Sequence, residues 1–407
     1  MNPRSGDEWP YSSSVSSNLP YLRIGILGVL TIVAYGSWFY GFGVLLDDMA
    51  ADFDSGVGIL TMGYTIAQIL TGVLGMWVGR TLDHHGARRP FAIGAAVGPG
   101  VVVASTYLES PALFAVVFGI GGGVLGASSF YHLTQTVAAR LSAGSEARAI
   151  AQLTIWGAFS SPILIPVTEL MRSWIGWRDT VRVSVVVVGV VLVVAAVFVD
   201  RDGVTRSTSP SASSRLAVIG AWKEPLVRRY AFSSLASSFG TSIIMVLQIP
   251  AMVAGGLERS TAASMAGARG FAQLFGRLPL GRVLDTWPTR NVLISAKLLI
   301  VAGGVLLAFS GNVVVAVLFV IVGGVGIGAV SPLDGIYARE VLPTHDLGTL
   351  MGSMHFVGGF MAGIGPLVGA LVIDLTDRTW SGLVLASATV LIGAASLVMS
   401  PRRARPR

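Results

Sequence analysis

Long apolar stretches, separated by short polar ones, dominate this 407-residue chain. A helix that crosses a bilayer needs about 20 mostly apolar residues, and stretches of that length occur twelve times. They are continuous and do not alternate over about 10 residues as barrel strands do. The predicted spans one to twelve are residues 22–46, 59–79, 90–107, 112–135, 149–170, 178–199, 229–253, 262–284, 291–310, 313–336, 348–372 and 380–400. The pattern predicts an all-α integral membrane protein.

The composition agrees with that prediction. Charged residues make up 12% of the chain and hydrophobic residues 53%, whereas a soluble protein carries about 25% charged residues. This balance excludes an ordinary soluble enzyme, a disordered protein and a coiled coil. The chain has no cysteine, and its five histidines lack the spacing of metal ligands. We therefore predict neither a metal nor a cofactor.

The net charge of +7 becomes informative once the cations are placed along the chain. Most of the 28 Lys and Arg residues lie in the two tails and the even-numbered loops. The residues around the first loop include four acids and no cation (Asp47, Asp48, Asp52 and Asp54). The positive-inside rule then predicts a multi-pass protein of the cell or inner membrane with both termini in the cytoplasm. The charge excess is an orientation signal, so no nucleic-acid partner is predicted.

A polar, Ser- and Pro-containing segment divides the twelve spans into two sets of six, as a flexible linker would. The predicted parts are a tail 1–21, a half 22–199, a linker 200–228, a second half 229–400 and a tail 401–407. An internal repeat supports the division. Residues 79–83 (GRTLD) match 281–285 (GRVLD), and Gly126-Ala127 matches Gly328-Ala329, both at an offset of 202 residues. Two pseudo-symmetric six-helix halves with a site between them are the layout of many secondary transporters.

The segment after span two carries a recognisable motif, formed by Gly79, Asp83, Gly86, Arg88 and Arg89. It resembles the signature of the major facilitator superfamily, although His84 stands where a cation is usual. The resemblance implies that fold, and a gating role for these residues. It implies the same role for Gly281 and Asp285 in the more degenerate second copy.

Three further segments resemble the monocarboxylate and oxalate/formate transporter group within that superfamily. They are residues 35–53, the triplet Gly176-Trp177-Arg178, and residues 273–281 in span eight. The resemblance implies that Arg277, eight residues before Asp285, binds the substrate carboxylate.

Span eight is also informative without the resemblance. Arg269, Gln273 and Arg277 are four residues apart and share one helix face, which makes a polar stripe about 12 Å long. A charge inside the bilayer is costly, and a guanidinium can hold a carboxylate by two parallel hydrogen bonds. No acid lies centrally in the spans, so an anionic substrate is favoured. Lys297 is predicted to snorkel to the inner surface.

The remaining candidates for the substrate site are polar or aromatic residues in spans expected to line it: Tyr40, Tyr131, Trp156, Gln248 and His355. Proton-coupled members of the resembled group carry titratable residues where this chain has Tyr40 and Gln273. If protons are coupled here, His355 or His132 is the candidate carrier. The alternative for each is a neutral histidine bonded to a backbone carbonyl.

The sequence therefore predicts a secondary transporter of a small organic anion, a monocarboxylate, that works by alternating access. Proton symport and anion exchange both remain open as the driving force. One alternative is an exporter of drugs or other solutes with the same fold, and another is a membrane sensor on a transporter scaffold. An enzyme is not predicted, because no nucleophile elbow or paired-carboxylate site is evident.

Overall fold

The computed structural model of the chain describes residues 19–142, 146–199, 220, 222–342 and 347–399. The predicted tail up to residue 18, most of the predicted linker and the tail 401–407 lie outside these residues. So do the side chains of residues 19, 20, 83, 146–148, 151, 347–353 and 355.

The described helices form twelve spans in the predicted order, and the span numbers are kept. In the first half they are Leu19–Ala34, Tyr35–Tyr40 and Gly41–Asp52 (one), Val57–His85 (two), Arg88–Ser105 (three), Pro111–Ser129 and Tyr131–Leu141 (four), Glu146–Ala158 and the start of Ser160–Phe198 (five) and the rest of that helix (six). In the second half they are Pro225–Ala254 (seven), Arg259–Arg277 and Leu280–Thr286 (eight), Thr289–Ala308 (nine), Val313–Val341 (ten), Leu347–Thr376 (eleven) and Thr379–Val398 (twelve).

Nine helical stretches of the described chain are long and apolar enough to cross a membrane. One of them, Gln152–Phe198, has 47 residues and contains both span five and span six. The two spans separate at Gly176, whose φ of 75° lies in the left-handed region that glycine adopts most readily. Span three, which begins with two arginines, and span eight, which carries Arg269 and Arg277, complete the twelve. The chain is an all-α, twelve-helix membrane protein.

Several helices extend beyond the apolar runs that predicted them. The helix of span two continues to His85, so Gly79 and Asp83 lie within it and not in the following loop. Gly86, with a φ of 79°, ends that helix. Span seven begins at Pro225, inside the predicted linker, with proline in the first turn where it costs no hydrogen bond. The observed helix bounds differ from the predicted span bounds because the length of an apolar run reflects only the thickness of the hydrocarbon layer. A helix can continue beyond that layer into the polar interface.

The two halves pack by the same plan. In the first half, span two packs on span four, and span three packs on spans four and six. In the second half, span eight packs on span ten, and span nine on spans ten and twelve. The repeat is visible in single contacts: a Cβ on Gly126 would meet Thr71, and one on Gly328 would meet Gln273. Gly328 and Gln273 lie 202 residues after Gly126 and Thr71, which is the offset of the internal repeat.

Polar contacts join the halves on one side of the bundle, the side of the odd-numbered loops, which we call the odd-loop side. Arg259 of span eight lies 3.4 Å from Asp47, 3.7 Å from Asp48 and 3.5 Å from Glu169, measured between nitrogen and carboxylate oxygen. In addition, the Asp374 carboxylate accepts a hydrogen bond from the Gly58 amide at 3.0 Å.

Backbones of the two halves also come close on this side. A Cβ built on Gly43 of span one would lie 2.6 Å from the carbonyl oxygen of Val246 in span seven. In the same region, the Thr65 hydroxyl of span two donates to the carbonyl of Gly363 in span eleven at 2.7 Å. The halves are therefore in tight contact here.

Candidate functional site

Arg269 is the largest buried charged side chain of the described chain, with 0% of its surface exposed. Its Nε donates to Oε1 of Gln248 at 2.8 Å, and Gln248 is oriented in turn by donating from Nε2 to the Met245 carbonyl at 2.9 Å. Neither Nη1 nor Nη2 has a hydrogen-bond partner among the described residues, and no described acid pairs with this guanidinium. A buried cation without an acid is strongly unfavourable. Its two free nitrogens have the geometry that binds a carboxylate.

Gln273 and Arg277 continue the same face of span eight, as the spacing predicted. Gln273 is buried and Arg277 is partly exposed. Arg277 donates from Nε to the Gly328 carbonyl at 3.3 Å and from Nη2 to Oε1 of Gln273 at 3.5 Å. Both contacts are long for hydrogen bonds of this type. Arg277 is therefore loosely held and has donors to spare.

The opposite wall of the site comes from the first half of the chain. Tyr40 lies within electrostatic range of both Arg269 and Arg277, and Tyr131 lies within range of Tyr40 and Arg277. The tyrosines belong to spans one and four, whereas the arginines belong to span eight. The structure thus brings together four predicted residues from different halves, and the site lies between those halves.

Tyr40 belongs to a cluster of aromatic rings contributed by spans one and four. Four of them are partly exposed within the bundle and together are called the aromatic wall: Tyr35, Phe39, Tyr40 and Tyr131. Behind the wall, Phe130 stacks on Tyr35 at 4.1 Å and on Trp38 at 5.2 Å between ring centroids. Sequence reasoning did not select Tyr35 or Phe39 for the site. The available signal was the density of aromatic residues in the segment YGSWFY.

Trp156 lies away from this cluster. Its ring packs on Gly28, and the side chain is 39% exposed. It lines an apolar groove on the side of the bundle formed by spans one and six, together with Tyr21 and Val191. A substrate-binding role for Trp156 remains a prediction.

The two histidines considered as proton carriers differ in what the structure describes. Nε2 of His132 lies 2.9 Å from the Ala127 carbonyl oxygen, which matches the alternative of a histidine bonded to the backbone. The backbone of His355 lies in span eleven, and its side chain is outside the described residues. A proton role for either histidine remains a prediction.

The residues of the repeated motif lie at helix ends, on the side opposite the odd-loop side. Arg88 and Arg89 are exposed at the start of span three, and the side chain of Asp83 is outside the described residues. In the second copy, Gly281 and Asp285 lie in the short helix Leu280–Thr286, where both are exposed. Their gating role remains a prediction.

Lys297 provides a correction. We predicted that it snorkels to the surface, but its side chain is fully buried in the second half. Nζ donates to the carbonyl and the hydroxyl of Ser233 at 3.0 and 2.9 Å, and it lies 3.8 Å from Oδ1 of Asp334. The prediction was wrong because partners from spans seven and ten meet the ammonium inside the bundle.

The fold defines a class, a multi-pass membrane protein of twelve spans in two similar halves. The chain matches the family model of the Major Facilitator Superfamily over residues 27–255 and again over 230–407. It belongs to that family. In the described residues, no group of three or more His, Asp or Glu side chains is arranged to hold a metal ion.

Relatives in sequence are distant. The chain is 21% identical to the uncharacterized MFS-type transporter YcxA of Bacillus subtilis, over 86% of this chain and 87% of that one. It is 27% identical to the uncharacterized MFS-type transporter Rv1877 of Mycobacterium tuberculosis over 31% of this chain, and that alignment covers only 18% of the relative. These matches agree with an MFS-type transporter of a small molecule.

Solved structures show the same fold. The nucleoside transporter NupG superposes with a TM-score of 0.74 at 18% identity, over 94% of this chain and 96% of that one. A bacterial homolog of the human lysosomal transporter Spinster, in an inward-facing and unoccupied conformation, gives a TM-score of 0.71 at 11% identity, over 94% and 97%. At these identities the likeness concerns the fold and not the substrate.

Proposed function

We propose that the protein is a secondary active transporter of a small organic anion with a carboxylate group, a monocarboxylate. The anion binds between the two halves and crosses the membrane by alternating access. Arg269 is the buried anchor for the carboxylate, and Arg277 is a second, more accessible cation on the same helix face. Gln248 positions Arg269, and Gln273 lies between the two arginines.

One observation carries this proposal: a fully buried guanidinium whose two terminal nitrogens have no partner among the described residues. A cationic substrate would place like charges together in a medium of low polarity. A neutral substrate would leave the buried charge uncompensated. An anion resolves the cost of burying Arg269, and a carboxylate does so with two parallel hydrogen bonds.

The orientation and the driving force belong to the same proposal. The distribution of Lys and Arg favours cytoplasmic termini in a cell or inner membrane, with the odd-loop side outside. Proton symport and anion exchange both fit a single anion site. A pH gradient and an internal anion, imposed separately on proteoliposomes, distinguish them: symport responds to the gradient, and exchange requires the internal anion.

The direct test is binding of a panel of carboxylates to the purified protein by isothermal titration calorimetry. Two charge-assisted hydrogen bonds of about 1.5–3 kcal/mol each are at stake. We therefore expect Arg269→Gln to weaken binding of the best ligand at least a hundredfold. Arg277→Gln should weaken it about tenfold, because Arg277 is partly exposed.

Arg282→Gln is the matched control. Arg282 lies just beyond Arg277 on the same span and is exposed. Its substitution removes the same charge without touching the site, so affinity should stay within about twofold. Unchanged affinity in Arg269→Gln would contradict the carboxylate site. Transport of an uncharged solute by Arg269→Gln would favour the alternative of an exporter of drugs or other solutes.

A further inference from the structure

The aromatic wall and the free nitrogens of Arg269 lie on opposite sides of the same boundary between the halves. Span one links them, because Tyr40 belongs to the wall and Gly43, one turn further along, lies against Val246, two residues before the Gln248 that holds Arg269. Arg269 is fully buried in this conformation, so a ligand reaches it when the halves move apart, and it then meets a cation at one end and aromatic rings at the other. The site therefore distinguishes the two ends of its ligand.

The rings of the wall form one connected set. Tyr35 lies 5.1 Å from Tyr131 and 5.5 Å from Phe39, and Phe39 lies 5.0 Å from Tyr40, between ring centroids. Inner rings support them: Tyr64, for example, lies 5.7 Å from Phe39 and is fully buried. The wall itself is only partly buried. Open space next to the wall is therefore bordered by ring faces and edges.

The backbone of span one explains how so many rings reach one side. Residues Tyr35–Tyr40 form a π-helical segment, six residues long, in the middle of the span. A π-helical segment widens the helix by using i→i+5 hydrogen bonds, and such segments are frequent at functional sites. Here, the segment contains three of the four residues of the wall. Its position at the level of the site is a second feature that points to a ligand.

We propose that the substrate is an aromatic carboxylate, with its carboxylate on Arg269 and its ring against Tyr35, Phe39 and Tyr40. This inference rests on the proposed function, since it names the substrate class of the same site. Aromatic pairs in offset or edge-to-face geometry gain free energy beyond that of the buried area. An aromatic ring is therefore preferred over an aliphatic ring of equal size.

The test compares three ligands of nearly equal size by calorimetry at pH 7.5: benzoate, cyclohexanecarboxylate and benzamide. Both acids are ionised at this pH, so they differ only in the ring. The aromatic contribution predicts that benzoate binds about three- to tenfold more tightly than cyclohexanecarboxylate. Benzamide has the ring without the charge and should bind at least tenfold more weakly than benzoate.

Substitutions in the wall test whether the preference arises there. Tyr40→Leu and Phe39→Leu should each bring the ratio of the two acid affinities towards one, whereas Tyr40→Phe should preserve it. Phe275→Leu is the control, because Phe275 lies on span eight but is 59% exposed and faces away from the site. A ratio of affinities does not depend on the fraction of folded protein, so a destabilised variant remains informative.

The outcomes separate this inference from the proposed function. Equal or tighter binding of cyclohexanecarboxylate, or a benzoate preference that survives in both leucine variants, overturns the aromatic class and leaves a carboxylate transporter. Absence of binding by any carboxylate overturns the proposed function, and the inference with it.

Discussion

Two fully buried cations, Arg269 and Lys297, lie in the same half of the molecule in opposite electrostatic situations. The ammonium of Lys297 has Ser233 and Asp334 as protein partners. The guanidinium of Arg269 has one neutral amide, and its terminal nitrogens have no partner in the described part of the chain. Burial alone therefore does not identify a binding residue. The informative property is whether the protein itself completes the coordination of the charge.

The largest expected effect concerns Arg269→Met. This change removes an uncompensated buried charge, so the melting temperature of the empty protein should stay the same or rise. Carboxylate affinity should fall at least a hundredfold, as two charge-assisted hydrogen bonds are lost. Thermal unfolding in detergent and calorimetry measure the two quantities. A clear fall in melting temperature would indicate that Arg269 has a structural role like that of Lys297.

Lys297→Met should show the reverse pattern. It leaves the carboxylate of Asp334, 23% exposed, without its cation. Because that carboxylate is partly hydrated, we expect a loss of about 1–3 kcal/mol in stability, below the cost of breaking a fully buried pair. Carboxylate affinity should change less than twofold. The same two measurements apply, and a tenfold loss of affinity would place Lys297 in the substrate site.

The double variant Lys297→Met with Asp334→Asn sharpens that result. With both charges absent, no ion remains unpaired, so part of the stability lost in Lys297→Met should return, on the order of 1 kcal/mol. Melting temperatures of the two single variants and the double variant complete the cycle. Additive losses would show that the two residues act independently, despite the 3.8 Å between them.

Gln248→Leu tests how Arg269 is held. The change removes the oxygen that accepts from Nε, so the guanidinium loses its orientation but keeps its charge. We expect about a tenfold loss of carboxylate affinity, corresponding to one hydrogen bond to a charged group. Gln273→Leu is the matched comparison, because its bond to Arg277 is long. It should cost less than Gln248→Leu, and the reverse order would assign the main role to Arg277.

The smallest effect is expected for Arg259→Gln. Arg259 is paired like Lys297 but lies at the odd-loop side, with three acids around it and access to water. Partly exposed pairs contribute about 0.2–1 kcal/mol and are screened by salt. The difference in melting temperature from the unmodified protein should therefore shrink between 50 mM and 500 mM salt. A difference that is independent of salt would indicate a buried role.

The sequence predicted the architecture because membrane spans depend on one-dimensional properties: the length of an apolar run, the position of cations and the offset of a repeat. It also placed Arg269, Gln273 and Arg277 on one face, since that follows from helix periodicity. It did not predict the pairing of Lys297, which depends on residues 64 and 37 positions away in other spans. Nor did it distinguish the ring of Tyr35, which belongs to the aromatic wall, from the ring of Trp156, which lines the apolar groove. The rotation of each helix decides which ring faces the site, and packing between helices sets that rotation.

The close approach of Gly43 to the Val246 carbonyl has a consequence for the equilibrium between conformations. A methyl group at position 43 would act as a wedge in this arrangement, so Gly43→Ala should shift the population towards a state in which the odd-loop side is open. The chain contains no cysteine, so Thr65→Cys supplies a single thiol at that boundary. Faster labelling of this thiol in the Gly43→Ala background would report the shift, and an unchanged rate would contradict it.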